Sequence, residues 1–162
     1  RGAGKQLFLK LVEQADVVIE NFSARAMPSL GLGYDEMTQH NPRLIYVSMP
    51  GYGSFGPYKD WVAFGPTVEP MTGFTQMFGY SPEEPRNTAM ALMDPIAGTS
   101  ATNAVLTALR QRENDGKGKF VELSLHEAGV SFNGPWLIDH QFGLEQQSLG
   151  NAHPEMLSLI HI

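Results

Sequence analysis

Two short apolar runs constrain this chain most. Residues 16–20 read Asp16-Val17-Val18-Ile19-Glu20, and residues 44–48 read Leu44-Ile45-Tyr46-Val47-Ser48. Both have strand character, and helix-like segments lie around them. Residues 5–14 carry Leu7, Phe8, Leu11 and Val12 on one helical stripe. Residues 34–40 make a second, short helix that Asn41-Pro42 ends. A short β-branched run between two helices suits a parallel strand covered on both faces. Helix, strand, helix, strand with short connections therefore predicts an α/β fold with parallel pairing.

The rest of the chain fills in that plan. Ser23 is placed to cap a short helix before Pro28, and Gly31 and Gly33 make a turn. After the second run comes a segment rich in glycine and proline: Pro50, Gly51, Gly53, Gly56 and Pro57. A helix is expected over residues 67–78, then a surface loop at 81–86. Asn114-Asp115-Gly116-Lys117-Gly118 is a stop and turn signal. Residues 120–125 alternate as a half-exposed strand, and 126–142 read as helix that Gly129, Gly134 and Pro135 must kink or interrupt. At 162 residues the chain suffices for one domain with a core. That domain is assigned to residues 1–156. Residues 157–162 read as the translation of a transposon-type sequencing adapter and are set aside.

The pivot is Asp94. Residues 88–93 read extended, and from Asp94-Pro95 onward Ala97, Ala101, Ala104, Val105, Ala108 and Leu109 recur at helical spacing. Asp is a favoured N-cap and Pro a favoured first helical residue, so the helix is expected to start there. The carboxylate then faces the positive end of the helix dipole, stabilised by roughly 0.3–1 kcal/mol. Two readings stand side by side: a helix cap, or a carboxylate nucleophile of the kind that splits one hard step into two.

Other chemistries find less support. A net charge of −6 and a pI of about 5.3 argue against a nucleic-acid-binding domain. No run of 18 apolar residues is present to span a bilayer, and there is no cysteine for a disulfide, a thiolate metal site or a thiol nucleophile. A soluble, cytoplasmic protein is the expectation. Gly51-Tyr52-Gly53-Ser54-Phe55-Gly56 fits G-x-G-x-x-G after a strand, but Pro57, Tyr58, Lys59 and Asp60 do not open a helix. Glu69 comes too early for the ribose-binding acid, so the match is read as accidental. His40, His126, His140, His153 and His161 show no metal spacing. There is no nucleophile elbow and no P-loop.

Taken together, several segments resemble the class III CoA-transferases, the formyl-CoA transferase or carnitine CoA-transferase type. They are Ala15-Asp16-Val17-Val18-Ile19-Glu20-Asn21-Phe22, Gly31-Leu32-Gly33-Tyr34, and Asn41-Pro42-Arg43-Leu44-Ile45-Tyr46-Val47-Ser48 running into Gly56-Pro57-Tyr58. Met71-Thr72-Gly73, Asp94-Pro95-Ile96-Ala97-Gly98, Gly116-Lys117-Gly118-Lys119-Phe120-Val121-Glu122 and Gly150-Asn151-Ala152-His153-Pro154 complete the set in order.

The resemblance implies a Rossmann-like parallel sheet with flanking helices, the central part of that family's large domain. It also implies an interlocked homodimer, with acyl-CoA and carboxylic acids as substrates and no tightly bound cofactor. By the same comparison Asp94 falls at the nucleophile. Asn21, Phe22 and Ser23, with Trp61, Val62, Ala63, Phe64 and Gly65, fall at CoA-lining positions. The chain departs from the family's pattern at Ser29, at Ala152 and at Gly65, where many members have an acidic residue. Two alternatives stay in view. Racemases acting on 2-methylacyl-CoA are similar in fold, but their histidine would fall near Phe64, which cannot transfer a proton. A non-catalytic CoA-binding homologue is the other.

Overall fold

Three parallel strands lie side by side in the order β1 (Val17–Glu20), β2 (Ile45–Ser48), β3 (Lys119–Glu122). Val17 pairs with Ile45, and Ile45 with Lys119, so the three strands end together at Glu20, Ser48 and Glu122. This is a computed structural model, and it describes residues 2–145, 147, 148 and 150.

β2 is buried along its whole length because each face carries its own core. Leu44 and Tyr46 pack with Leu9, Val12, Met27, Leu32 and Met37. Those residues belong to, or flank, α1 (Gly2–Val12), α2 (Ala26–Ser29) and α3 (Tyr34–His40). Ile45 and Val47 turn the other way, as alternation requires. They meet Val68, Phe74, Met93, Ala97, Ala101, Leu125 and Ala128. That layer is built from α4 (Gly65–Met71), α5 (Phe74–Met77), α6 (Met93–Asp115), α7 (Leu125–Phe132) and α8 (Gly134–Gln141). The α/β architecture with a parallel, helix-flanked sheet is thus the one expected.

Several local expectations need correction. Residues 88–92 form no strand; Ala89 and Ala91 have φ of 57° and 47°, which breaks any extended run. Asp94 is not the N-cap of α6. The helix begins two residues earlier, at Met93, with Leu92 in the cap position and the Asp94 N–H donating to the Ala91 carbonyl at 2.9 Å. Ser23 makes no side-chain cap: Arg25 flanks α2, and Pro28 lies inside it. A first-turn proline is tolerated there because its missing N–H would have had no helical partner.

The helix expected over 67–78 is two, α4 and α5, divided at Gly73 with φ 82°. The third strand stops at Glu122, and the Ser124 hydroxyl accepts the Glu127 N–H at 3.3 Å to start α7. Gly129 does not interrupt α7. A Cβ there would stand 2.4 Å from Met93 Sδ and 2.5 Å from Thr72 Cγ2, so this glycine permits close helix packing. The break falls at Asn133 instead. Residues 151–154 and the tail at 157–162 lie outside the described residues.

Arg112, in the last turn of α6, locks that helix to the starts of β1 and β2. Its guanidinium donates to the Asp16 carbonyl at 3.2 Å, the Arg43 carbonyl at 3.0 Å and Asp16 Oδ1 at 2.7 Å. Its side chain is 11% exposed, whereas that of Asp16 is 78% exposed, so the two carbonyl bonds outweigh the ion pair. Arg112→Ala is expected to cost about 2 kcal/mol in urea unfolding, with Arg112→Lys recovering only part because an ammonium lacks the planar fork.

Candidate active site

The site forms beyond the carboxyl ends of the strands, where open α/β sheets hold ligands. Asn21, Phe22 and Ser23 leave β1 directly, and Glu20 fixes their path. Its buried carboxylate accepts the Phe22 N–H at 2.8 Å, the Tyr46 hydroxyl at 3.3 Å and the Ser48 hydroxyl. Burial, with the negative charge of Glu20 and this hydrogen bond, pushes the Tyr46 hydroxyl well above the usual phenol range. Tyr46 therefore remains a donor to Glu20.

The glycine loop after β2 is held in the same way. Glu122, the last residue of β3, accepts the Ser54 N–H at 2.6 Å and the Ser54 hydroxyl at 2.5 Å. No helix opens at Gly56; the next one begins at Gly65. Tyr52, Tyr58 and Trp61 gather there, with ring centroids 4.4 Å apart for Tyr58–Trp61 and 6.0 Å for Tyr52–Trp61. Burial raises the Tyr52 hydroxyl above its ordinary value. The Phe64 N–H donates to the Thr67 hydroxyl at 3.0 Å, which fixes the entry into α4.

Asp94 lies in the first turn of α6, exposed. Its carboxylate takes no hydrogen bond or ion pair from any described residue, so its lone pairs are available. Gly65, the first residue of α4, sits against it. A Cβ added there would stand 2.8 Å from Asp94 Oδ2 and 2.5 Å from the Ala91 Cβ.

All nine residues expected from sequence line one cavity of about 490 Å³: Asn21, Phe22, Ser23, Trp61, Val62, Ala63, Phe64, Gly65 and Asp94. That volume is in the range of small-molecule sites. Phe22, Trp61 and Phe64 are 59%, 53% and 67% exposed, which gives it an apolar wall open to a ligand. Sequence reasoning missed Arg25, Lys59 and Asp60, which line the same space. Arg25 Nε lies 3.2 Å from Asp60 Oδ1 and so joins the two walls. The only signal for Lys59 and Asp60 was their adjacency to Trp61. Arg25 had none.

No described group of histidine, aspartate and glutamate could hold a metal ion, and no described helix is long and apolar enough to cross a membrane.

Comparison with known proteins identifies the family. Residues 1–160 match CoA-transferase family III. An acyl-CoA transferase from Fusarium pseudograminearum is 36% identical over 96% of the chain, which spans 34% of that protein. A succinyl-CoA–D-citramalate CoA-transferase from Chloroflexus aurantiacus is 31% identical over 94% of the chain and 38% of its own length. Among solved structures, a CaiB/BaiF family protein from Brucella suis superposes with a TM-score of 0.90 at 30% identity, over 96% of this chain and 42% of that one. The chain thus spans well under half the length of the relatives it matches. With the family match running through the strand ends, the glycine loop and the Asp94 helix alike, this chain belongs to CoA-transferase family III.

Proposed function

We propose that the protein containing this chain transfers CoA from an acyl-CoA thioester to a carboxylic acid, with Asp94 as the nucleophile. One observation carries the reading: an exposed carboxylate, without a hydrogen-bonded or ionic partner among the described residues, opens into the cavity that the strand exits and the Trp61 segment enclose. In the proposed cycle the Asp94 carboxylate attacks the thioester carbonyl, and the C–S bond breaks to give an aspartyl-acyl anhydride and CoA thiolate. The thiolate attacks the aspartyl carbonyl, releasing the first acid and leaving an aspartyl-CoA thioester. An acceptor carboxylate attacks that carbonyl, regenerating an anhydride and thiolate. Attack of the thiolate on the new acyl carbonyl then yields product and restores Asp94. Exclusion of water conserves the thioester through both exchanges. Lys59 supplies positive charge in the same cavity, suited to a phosphate of CoA, while Arg25 is paired with Asp60.

Proton abstraction next to the thioester is the competing chemistry of this fold. Among the described residues no histidine lines the cavity, and Phe64 occupies part of the wall. The test is incubation of the full-length protein with a chiral 2-methylacyl-CoA and an acceptor acid in deuterated water. The expected result is a new acyl-CoA with the α-proton retained. Deuterium at the α-carbon without transfer identifies a racemase, and no turnover without CoA binding identifies neither enzyme. The proposal includes an interlocked homodimer and a large domain of which this chain is the central part.

A further inference from the structure

Besides Glu20 at the β1 exit, the cycle leaves a second buried carboxylate unused, that of Glu69. It is 1% exposed, on the inner face of α4. Its Oε1 accepts the Thr88 N–H at 2.7 Å and its Oε2 accepts the Thr88 hydroxyl at 2.6 Å. A buried carboxylate is tolerated only when its lone pairs are filled in this way. Both donors come from one residue, 19 positions along the chain.

Thr88 opens the segment that ends at Asp94. That segment contains Ala89 and Ala91, both in the left-handed region with φ of 57° and 47°. Alanine enters that region at a cost and stays there only where the surroundings hold it. Here both ends are held by the same short helix. Gly65 and Glu69 are four residues apart, on one face of α4. Gly65 lies beneath Ala91 and Asp94, and Glu69 grips Thr88. The Ala91 carbonyl in turn accepts the Asp94 N–H at 2.9 Å. The path from Glu69 to the carboxylate is therefore continuous: clamp, strained segment, helix start.

We propose that Glu69 is a positioning residue: through Thr88 it fixes the strained segment 88–92 and so sets where the Asp94 carboxylate points. The inference rests on the nucleophile reading above and adds to it the residue that aims the nucleophile. A residue that merely stabilised the fold would change melting temperature and leave the chemical step of the folded enzyme intact.

The test is steady-state kinetics on the full-length protein, with mass spectrometry of the Asp94 adduct formed from acyl-CoA. Glu69→Leu fills the same buried volume without accepting either bond. It is expected to lower kcat by about 10²-fold, because small misplacements of a reacting group cost that much, with KM changed by less than about threefold. Glu69→Gln is the conservative rescue. Its carbonyl takes the Thr88 N–H, and its amide donates to the Thr88 oxygen, which accepts once the hydroxyl turns. Its kcat is expected within about fivefold of the wild type.

Thr88→Val removes the hydroxyl's bond to Glu69 and the long 3.5 Å bond it accepts from the Met90 N–H, and is expected to lower kcat about tenfold, whether or not Glu69→Leu folds. It is also expected to abolish the rescue by Glu69→Gln. Wild-type kcat in Glu69→Leu or Thr88→Val, a loss confined to KM, or equal damage from Gln and Leu each overturns the inference while leaving the nucleophile standing. Absence of any wild-type adduct at Asp94 during transfer overturns both.

Discussion

Asp94→Asn is expected to lower kcat on the order of 10⁴-fold, since removal of a covalent nucleophile is among the most damaging single changes an enzyme can suffer. The substitution is nearly isosteric, and the carboxylate it replaces has no hydrogen-bonded partner among the described residues to lose. Folding is touched only through the helix dipole, where a first-turn charge contributes about 0.3–1 kcal/mol. Acyl-CoA affinity is expected to persist, because most of the cavity wall comes from residues 21–25 and 59–65, and the near-isosteric change at Asp94 leaves that wall in place. Asp94→Ala should match it in kcat. Kinetics of both variants beside their melting temperatures separate loss of chemistry from loss of fold.

Gly65→Ala is the second large effect, and it acts by crowding. The new methyl would stand 2.5 Å from the Ala91 Cβ, 3.1 Å from the Ala91 Cα and 2.8 Å from Asp94 Oδ2. Two of those three contacts are under any real Cβ approach, so something must move. Ala91 has little freedom, because Thr88 is gripped by Glu69 three residues before it and α6 begins two residues after it. Displacement of the Asp94 carboxylate relieves the 2.8 Å contact, whereas the 2.5 Å contact with the Ala91 Cβ requires α4 to shift against the segment before α6. A kcat loss of about 10²-fold is expected. Stability is expected to fall as well, because Gly65 is the first residue of α4, where the preference of helix interiors for alanine does not offset the clash. Comparing single-turnover rates with thermal unfolding of Gly65→Ala checks both halves. A variant with unchanged kcat would show that the carboxylate tolerates motion.

What the sequence made legible follows from periodicity. The runs around Val17–Glu20 and Ile45–Ser48 and the helix Tyr34–His40 emerge from local pattern alone, but only β2 is covered on both faces as expected; on β1 Ile19 is 57% exposed. Asp94 was legible because Asp-Pro before a helical period is a strong local signal, even though the structure places the helix start at Met93. Residues 88–92 were not. Nothing in Ala89 or Ala91 announces a left-handed backbone, and the α4 residue packed against Ala91, Gly65, is distant in sequence. The bond from Thr88 to Glu69 was illegible for the same reason: the two residues are 19 positions apart, and spacing within one helix cannot reveal it. Arg25 entered the cavity only through the geometry of the β1 exit.

The most direct measurement is peptide mapping of the full-length protein quenched during turnover with acyl-CoA. The account predicts that the peptide carrying Asp94 gains CoA as a thioester, and that hydroxylamine converts Asp94 into its hydroxamate. Continued CoA transfer with that peptide unmodified, or with the adduct on a different carboxylate, would contradict it.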